Sequence, residues 1–157
     1  MVNTISTVIE NLGYDYQILV DDPAITVFRM AIALEHAKTD CIIDVRIPDK
    51  IVAVFIISPV SAPESGRKRV SEFLTMANYG LILGGFEMDM DDGELRYKSS
   101  FIYENEEGEE YEFKQHLFNA LYTMDRYFPG IMAVLFAGLE PRVAISQINN
   151  YIDPKMN

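Results

Sequence analysis

The sequence predicts an α+β fold in which helices pack on an antiparallel β-sheet, in the order α-β-β-β-β-α-β-β-α(-α). The spacing of apolar residues changes from helical to alternating after Gly13, and it changes back and forth again later in the chain. Tight turns join the strand-like segments, and such turns connect antiparallel neighbours. Because the chain has 157 residues, we expect a single domain over 1–152, with a frayed tail at 153–157.

The first third of the chain is predicted to contain one helix and four strands. Apolar residues recur at helical spacing as far as Leu12, Asn3 or Thr4 can cap this helix, and Gly13 can end it. The third and fourth strands are apolar at nearly every position, so we expect them in the middle of the sheet with both faces covered. The four predicted strands span 14–20, 25–34, 41–47 and 51–58.

A second helix is predicted to begin at "SAPE". Ser61 followed three residues later by Glu64 is typical of a capping box, and Gly80 can close the helix. The basic triplet 67–69 lies on its first half, and we interpret it as a solvated face rather than a nucleic-acid patch. Two further strands are predicted at 81–90 and 94–104.

The last part of the chain is predicted to be helical. Apolar residues from Phe113 to Phe128 share one helical face, and Pro129 is expected to break this helix and to open a next segment at 130–138. The stretch after Leu139 predicts a short final helix with Pro141 in its first turn.

The stretch "FEMDMDDGELRYKSSF", residues 86–101, resembles a calcium loop at first sight. An EF-hand loop needs acidic residues at positions 1, 3 and 5, Gly at position 6 and Glu at position 12. With Gly93 at position 6, methionines occupy positions 1 and 3, and with Asp89 at position 1, Ser100 occupies position 12. Neither alignment provides the ligands, so no metal site is predicted here.

The same stretch predicts a β-hairpin with Asp92 and Gly93 at its tip. Asp-Gly is a preferred pair for a two-residue type I′ turn, in which both residues have positive φ. That register pairs apolar residues on one face and opposite charges on the other, with one like-charged pair, Asp91 and Glu94, at the solvated tip. The predicted cross-strand pairs are Asp91–Glu94, Met90–Leu95, Asp89–Arg96, Met88–Tyr97 and Glu87–Lys98.

The charge of the chain limits its partners. The net charge is −11, and residues 87–112 contain eleven acidic side chains against Arg96 and Lys98. Such a protein repels nucleic acids and anionic lipids, so neither is an expected partner. The sequence contains no apolar run that predicts a membrane span and no secretory signal, and its single cysteine, Cys41, suits a reducing compartment. We therefore expect a cytoplasmic protein.

No catalytic, cofactor-binding or metal-ligating set is predicted. His36 and His116 are the only histidines, and neither has the spacing of a metal ligand. No Ser lies in a GxSxG motif, and no Ser/His/Asp set stands out. Tyr97, Tyr103 and Tyr111 are possible partner-facing residues, with amphipathic positions at the rim of the core as the alternative.

Two segments resemble a known family: "RVSEFLTMANYGLILGGFEMDMDDGELRYKSSF" and "NALYTMDRYFPGIMAVLFAG". Over residues 70–138 the chain resembles the YbjN family of bacterial proteins, described as sensory transduction regulators, whose fold is similar to type III secretion chaperones. This resemblance implies a chaperone-like fold and no catalytic residues. Chaperones of that fold usually form homodimers and bind an extended segment of a partner, but the resemblance implies no such client for this protein.

The leading hypothesis is therefore a non-enzymatic regulatory or chaperone-like protein-interaction module that acts as a homodimer. A small-molecule-binding or assembly-factor protein with an apolar groove beside the sheet is the alternative, and an enzyme is a third hypothesis.

Overall fold

The computed structural model describes residues 1–104 and 109–150 of the chain. Within these residues, four helices and six strands follow the predicted order, and the predicted tail at 153–157 lies outside them. The helices are α1 (Val2–Asn11), α2 (Glu64–Tyr79), α3 (Glu109–Phe136) and α4 (Pro141–Asn150). The strands are β1 (Gln17–Asp21), β2 (Ile25–Ala33), β3 (Lys38–Arg46), β4 (Ile51–Ile57), β5 (Gly85–Met88) and β6 (Leu95–Ile102).

The strands form one antiparallel sheet in the order β1-β2-β3-β4-β6-β5, which confirms the α+β class. β3 and β4 lie in the middle, as predicted. The core lies between the helices and one face of the sheet, where alternate side chains of each strand are buried. The strand residues of this core include Phe28, Met30, Ile32, Cys41, Ile43, Val45, Val52, Val54, Ile56, Leu95, Tyr97 and Phe101.

The expectation that both faces of β3 and β4 are covered is wrong for the described part of the chain. No described helix lies over the second face, and most of its side chains are partly or fully exposed. We call this second side of the sheet the open face. On this face β4 presents apolar residues, whereas β3 presents Ile42 between charged residues. Nothing in the described chain packs on them, so the apolar residues here belong to a surface and not to a second core.

α3 is one continuous helix of 28 residues, so the predicted break at Pro129 is also wrong. Pro129 lies on the exposed side of the helix, whereas Tyr127, Phe128 and Ile131 beside it are buried. Burial on both sides of the proline holds the two halves in line and outweighs the missing backbone donor. At α2 the predicted capping box does not form, because the helix begins at Glu64 after Pro63, without a side-chain cap.

The hairpin between β5 and β6 forms with a register different from the predicted one. Glu87 pairs with Arg96, and Met88 pairs with Leu95, so each residue is shifted by two positions. Six residues, 89–94, connect the strands instead of two, and Gly93 alone among them has positive φ, at 80°. The Asp92–Gly93 tip is therefore part of a longer loop and is not a type I′ turn.

Tertiary contact explains the longer loop. The Ala62 N–H donates to the Gly93 carbonyl at 2.8 Å, which attaches the loop to the segment before α2. Within the loop, carboxylates of Asp89 and Asp92 accept hydrogen bonds from the backbone N–H groups of Asp91 and Glu94, both at 2.8 Å. These interactions stabilise a wide loop that a two-residue turn does not allow.

Candidate functional site

The open face carries an apolar centre. Ile42 and Phe55 lie opposite each other on β3 and β4, and both are partly exposed. The Arg96 guanidinium lies 4.8 Å from the centroid of the Phe55 ring, so part of this ring is covered by a cation. The branched and aromatic residues of the open face are Ile25, Val27, Ile42, Ile51, Phe55, Ile57 and Ile102.

Ion pairs between neighbouring strands flank this apolar centre. Arg29 on β2 donates to Asp40 on β3 at 2.7 Å, and this interaction raises the pKa of Arg29. On β5, Glu87 contacts both Arg96, at 2.9 Å, and Lys98. Desolvation raises the pKa of Glu87, but the hydrogen bonds from Lys98 and Arg96 outweigh it and lower this pKa below its ordinary value.

The open face carries an excess of basic residues on an acidic chain. Its basic side chains outnumber its acidic ones, so this face carries a net charge of +2. Because the whole chain carries −11, the remainder carries −13. The basic residues of the open face are Arg29, Lys38, Arg46, Arg96 and Lys98, and the acidic ones are Asp40, Asp44 and Glu87.

Asp44 is an unusual residue for the middle of this surface. It pairs with Val27 on one side and Ala53 on the other, and its side chain is only 14% exposed. One carboxylate oxygen, Oδ2, lies 3.4 Å from Arg46. The other, Oδ1, is buried and accepts no hydrogen bond from any residue that the structure describes. A buried acceptor of this kind favours a donor from outside the described chain.

The open face also has a small depression at one end. It has a volume of 190 Å³ and lies where β3 and β4 meet the segment that follows β4. Ala31, Asp40 and Ile57 line it from the open face, together with Ser58 and Pro59. A depression of this size accommodates one side chain of a bound segment.

The three tyrosines predicted to face a partner lie in different surroundings. Tyr111 is 68% exposed near the start of α3, and Tyr103 is partly buried after β6. Tyr97 is fully buried, so it is a core residue and does not face a partner. Its hydroxyl donates to the Leu83 carbonyl and accepts from Asn119 Nδ2 at 3.1 Å, and burial raises its pKa.

Ser99 and His116 come together although no sequence motif links them. Ser99 Oγ lies 2.6 Å from His116 Nδ1, and Glu112 lies 3.5 Å from His116 Nε2. The imidazole also stacks on Phe101 at a centroid distance of 4.9 Å. Both Ser99 and His116 are buried between β6 and α3, and Ser99 is only 1% exposed, so no substrate reaches the hydroxyl in this arrangement. The pair satisfies polar groups inside the core.

The acidic loop provides no metal site, and the surface of α2 carries a groove. Across 1–104 and 109–150, no three Asp, Glu, His or Cys side chains are placed to hold a metal ion. A groove of 740 Å³ runs along the outer side of α2. Most of its lining residues are charged or polar, although the surface that they present to the groove is mostly apolar, and the groove lies on a helix rather than beside the sheet. Its residues are Glu64, Arg67, Lys68, Ser71, Glu72, Thr75, Met76 and Met90.

Comparison with known proteins identifies the family. In the part of the chain that the structure describes, no helix has the length and hydropathy of a membrane span. No curated protein matches the chain. A family model with the description "Putative bacterial sensory transduction regulator" matches residues 2–132, which is most of the sequence. The chain therefore belongs to the YbjN family.

Proposed function

We propose that this protein is a non-enzymatic regulator that acts by binding a segment of another protein on the open face of its sheet. The observation that carries this proposal is an apolar sheet surface, centred on Ile42 and Phe55, that no described element covers. Ile42 and Phe55 are partly exposed there, and apolar surface that the fold leaves uncovered marks interaction sites. The buried and unsatisfied Oδ1 of Asp44 supports it, because a backbone N–H of a bound segment supplies the missing donor.

The charge of the open face defines the chemistry of the segment. Its net charge of +2 on a chain of −11 favours a segment that combines apolar side chains with acidic ones. The apolar side chains contact the centre of the face, and the acidic ones contact Arg29, Lys38 or Lys98 at its margins. This mode of binding agrees with a chaperone-like role in the cytoplasm, in which the protein shields an extended segment of its partner.

We also propose that the protein acts as a homodimer. An exposed apolar surface on α3, separate from the open face, supports this proposal. Two separate surfaces allow one chain to bind a second copy and a partner at the same time.

The proposal is tested by capture of a partner from the native cell with three forms of the purified protein as bait. The wild type and Thr75→Lys, a control on the exposed side of α2, are expected to capture the same protein. Phe55→Lys is expected to lose it, because a lysine replaces the apolar centre of the face. Circular dichroism establishes that all three forms are folded. Equal capture by Phe55→Lys and the wild type overturns the proposal.

The small-molecule alternative has weaker support. The groove along α2 has sufficient volume, but it is open along the surface of a helix, whereas a ligand pocket is generally enclosed. Here Arg67 already donates to the Met90 carbonyl at 2.9 Å, so its guanidinium is partly used within the fold.

A further inference from the structure

The exposed side of α3 carries apolar residues along its whole length. We call Tyr111, Phe118, Tyr122, Pro129 and Phe136 the α3 stripe, and all five are exposed. At about 100° per residue, these positions lie within about 40° of one another around the helix. They therefore form a narrow line about 40 Å long, at about 1.5 Å per residue. Exposed surface helices normally carry polar residues there, so this line is an unpartnered apolar face.

Four of the five residues of the α3 stripe are placed symmetrically about its midpoint, and the fifth, Tyr122, has Asp125 at the corresponding position. Tyr111 and Phe136 are equally far from the centre of the stripe, between residues 123 and 124, and so are Phe118 and Pro129. When two copies of α3 lie antiparallel, Tyr111 of each copy is opposite Phe136 of the other, and Phe118 is opposite Pro129. Such self-complementarity is the property that a twofold interface requires.

The charges at the start of α3 favour the antiparallel arrangement. The first turn contains Glu110 and Glu112. At the other end, Arg69 donates to the carbonyls of Gly138 and Leu139 at 2.8 and 3.0 Å and pairs with Glu140 at 3.2 Å, so this end carries no comparable excess of negative charge. An antiparallel pair keeps the two acidic first turns at opposite ends of the interface. A parallel pair instead places the two acidic ends together.

The area of the stripe suits an interface when its neighbours are included. The exposed fractions are 68% for Tyr111, 44% for Phe118, 47% for Tyr122 and 59% for Phe136. With about 200 Å² for each aromatic side chain, these four contribute about 400 Å². A stable dimer buries about 800 Å² per partner. The end of α2 and the loop that follows it lie beside Asn119, and their exposed residues Tyr79 and Ile82 supply further apolar area.

We propose that the α3 stripe is the homodimer interface and that its occupant is the α3 stripe of a second copy in antiparallel orientation. This inference rests on the proposed homodimer and is independent of partner binding on the open face.

Light scattering with matched variants locates the interface. Phe118→Lys places a charge on the stripe and is expected to weaken dimerisation by at least about tenfold. Phe55→Lys places the same charge on the open face and is expected to leave the dimer unchanged. A wild-type monomer at high micromolar concentration overturns the homodimer and this inference together. If Phe55→Lys dissociates the dimer and Phe118→Lys does not, the proposed homodimer stands but the proposed α3 interface is overturned.

Disulfide cross-linking tests the orientation. A disulfide requires Cα atoms within about 7 Å. In the antiparallel pair, Phe118→Cys combined with Pro129→Cys is expected to cross-link under mild oxidation. Neither single variant is expected to do so, because identical positions are then about 16 Å apart along the helix. Wild-type protein is the control, since Cys41 is buried. The antiparallel arrangement is overturned if either single variant cross-links. It is also overturned if the double variant is folded and dimeric but does not cross-link.

Discussion

Substitution of Gly93 by alanine tests the contact between the acidic loop and the segment before α2. Gly93 has a φ of 80°, and a Cβ atom there would lie 2.0 Å from the carbonyl oxygen of Ala62. Because that oxygen belongs to the backbone, the loop and the segment must separate. The hydrogen bond of 2.8 Å from the Ala62 N–H to the Gly93 carbonyl is then lost.

Three effects set the magnitude of the change. Left-handed φ costs alanine about 1–2 kcal/mol, and loss of the hydrogen bond costs about 1 kcal/mol. The reduced freedom of the unfolded chain offsets about 0.4–1 kcal/mol. With the clash added, we expect Gly93→Ala to lower the free energy of unfolding by about 2–4 kcal/mol.

Gly13→Ala is the matched control. Gly13 has a similar φ of 77°, but a Cβ atom there meets nothing within 4 Å, so its substitution measures the backbone effect alone. We expect a loss of about 1 kcal/mol for this control. Urea unfolding monitored by circular dichroism measures both variants at a common m-value. If Gly93→Ala costs no more than Gly13→Ala, the proposed contact with Ala62 does not hold the loop.

Three further predictions concern the sheet and the loop. Glu87 has a lowered pKa in the folded protein, so its contribution to stability is present above its ordinary pKa of about 4.3 and is lost as the pH falls through the folded value. Since its side chain is 33% exposed, we expect Glu87→Gln to lower the free energy of unfolding by only about 0.5–1 kcal/mol at pH 7 and by much less at pH 3. Urea unfolding at both pH values measures this difference, and an equal loss at both would contradict the prediction. The Asn78 side chain accepts a hydrogen bond from the Phe86 N–H at 2.7 Å and donates one to the Phe86 carbonyl at 3.0 Å. We therefore expect Asn78→Ala to lower the free energy of unfolding by about 2 kcal/mol and to speed hydrogen exchange of the Phe86 amide. Unchanged exchange would argue against these hydrogen bonds. Millimolar calcium is expected to leave the melting temperature unchanged, because the loop carboxylates accept backbone hydrogen bonds, and a clear rise would show that 89–94 binds the ion.

Local sequence patterns predicted the elements well because each element has its own periodicity. The alternation in β2 and β3 and the helical spacing in α3 come from residues that lie near each other in the chain. The order of elements and the antiparallel sheet followed from these patterns and from short turns. The open face was not predicted, because an apolar strand residue looks the same in sequence whether a helix covers it or not.

The errors arise where distant residues decide the local conformation. The Asp92–Gly93 pair predicts a two-residue turn, but Ala62, 31 positions earlier, holds a wider loop through Gly93. The pair formed by Ser99 and His116 joins a strand to a helix and leaves no spacing signature. At Pro129, burial of the neighbouring residues overrides the helix-breaking tendency of proline.

The loop between α2 and β5 affects the free energy with which this surface binds another molecule. Ile82 is 95% exposed, yet the Leu83 carbonyl beside it accepts hydrogen bonds from Tyr97 and Asn119. Gly84 then lies so close to the Lys98 carbonyl that only a residue without a side chain fits. The loop is thus anchored to the core while its apolar side chain points outward. A group already held in place loses little conformational entropy when it is buried, so each contact made by Ile82 contributes more of its free energy to binding.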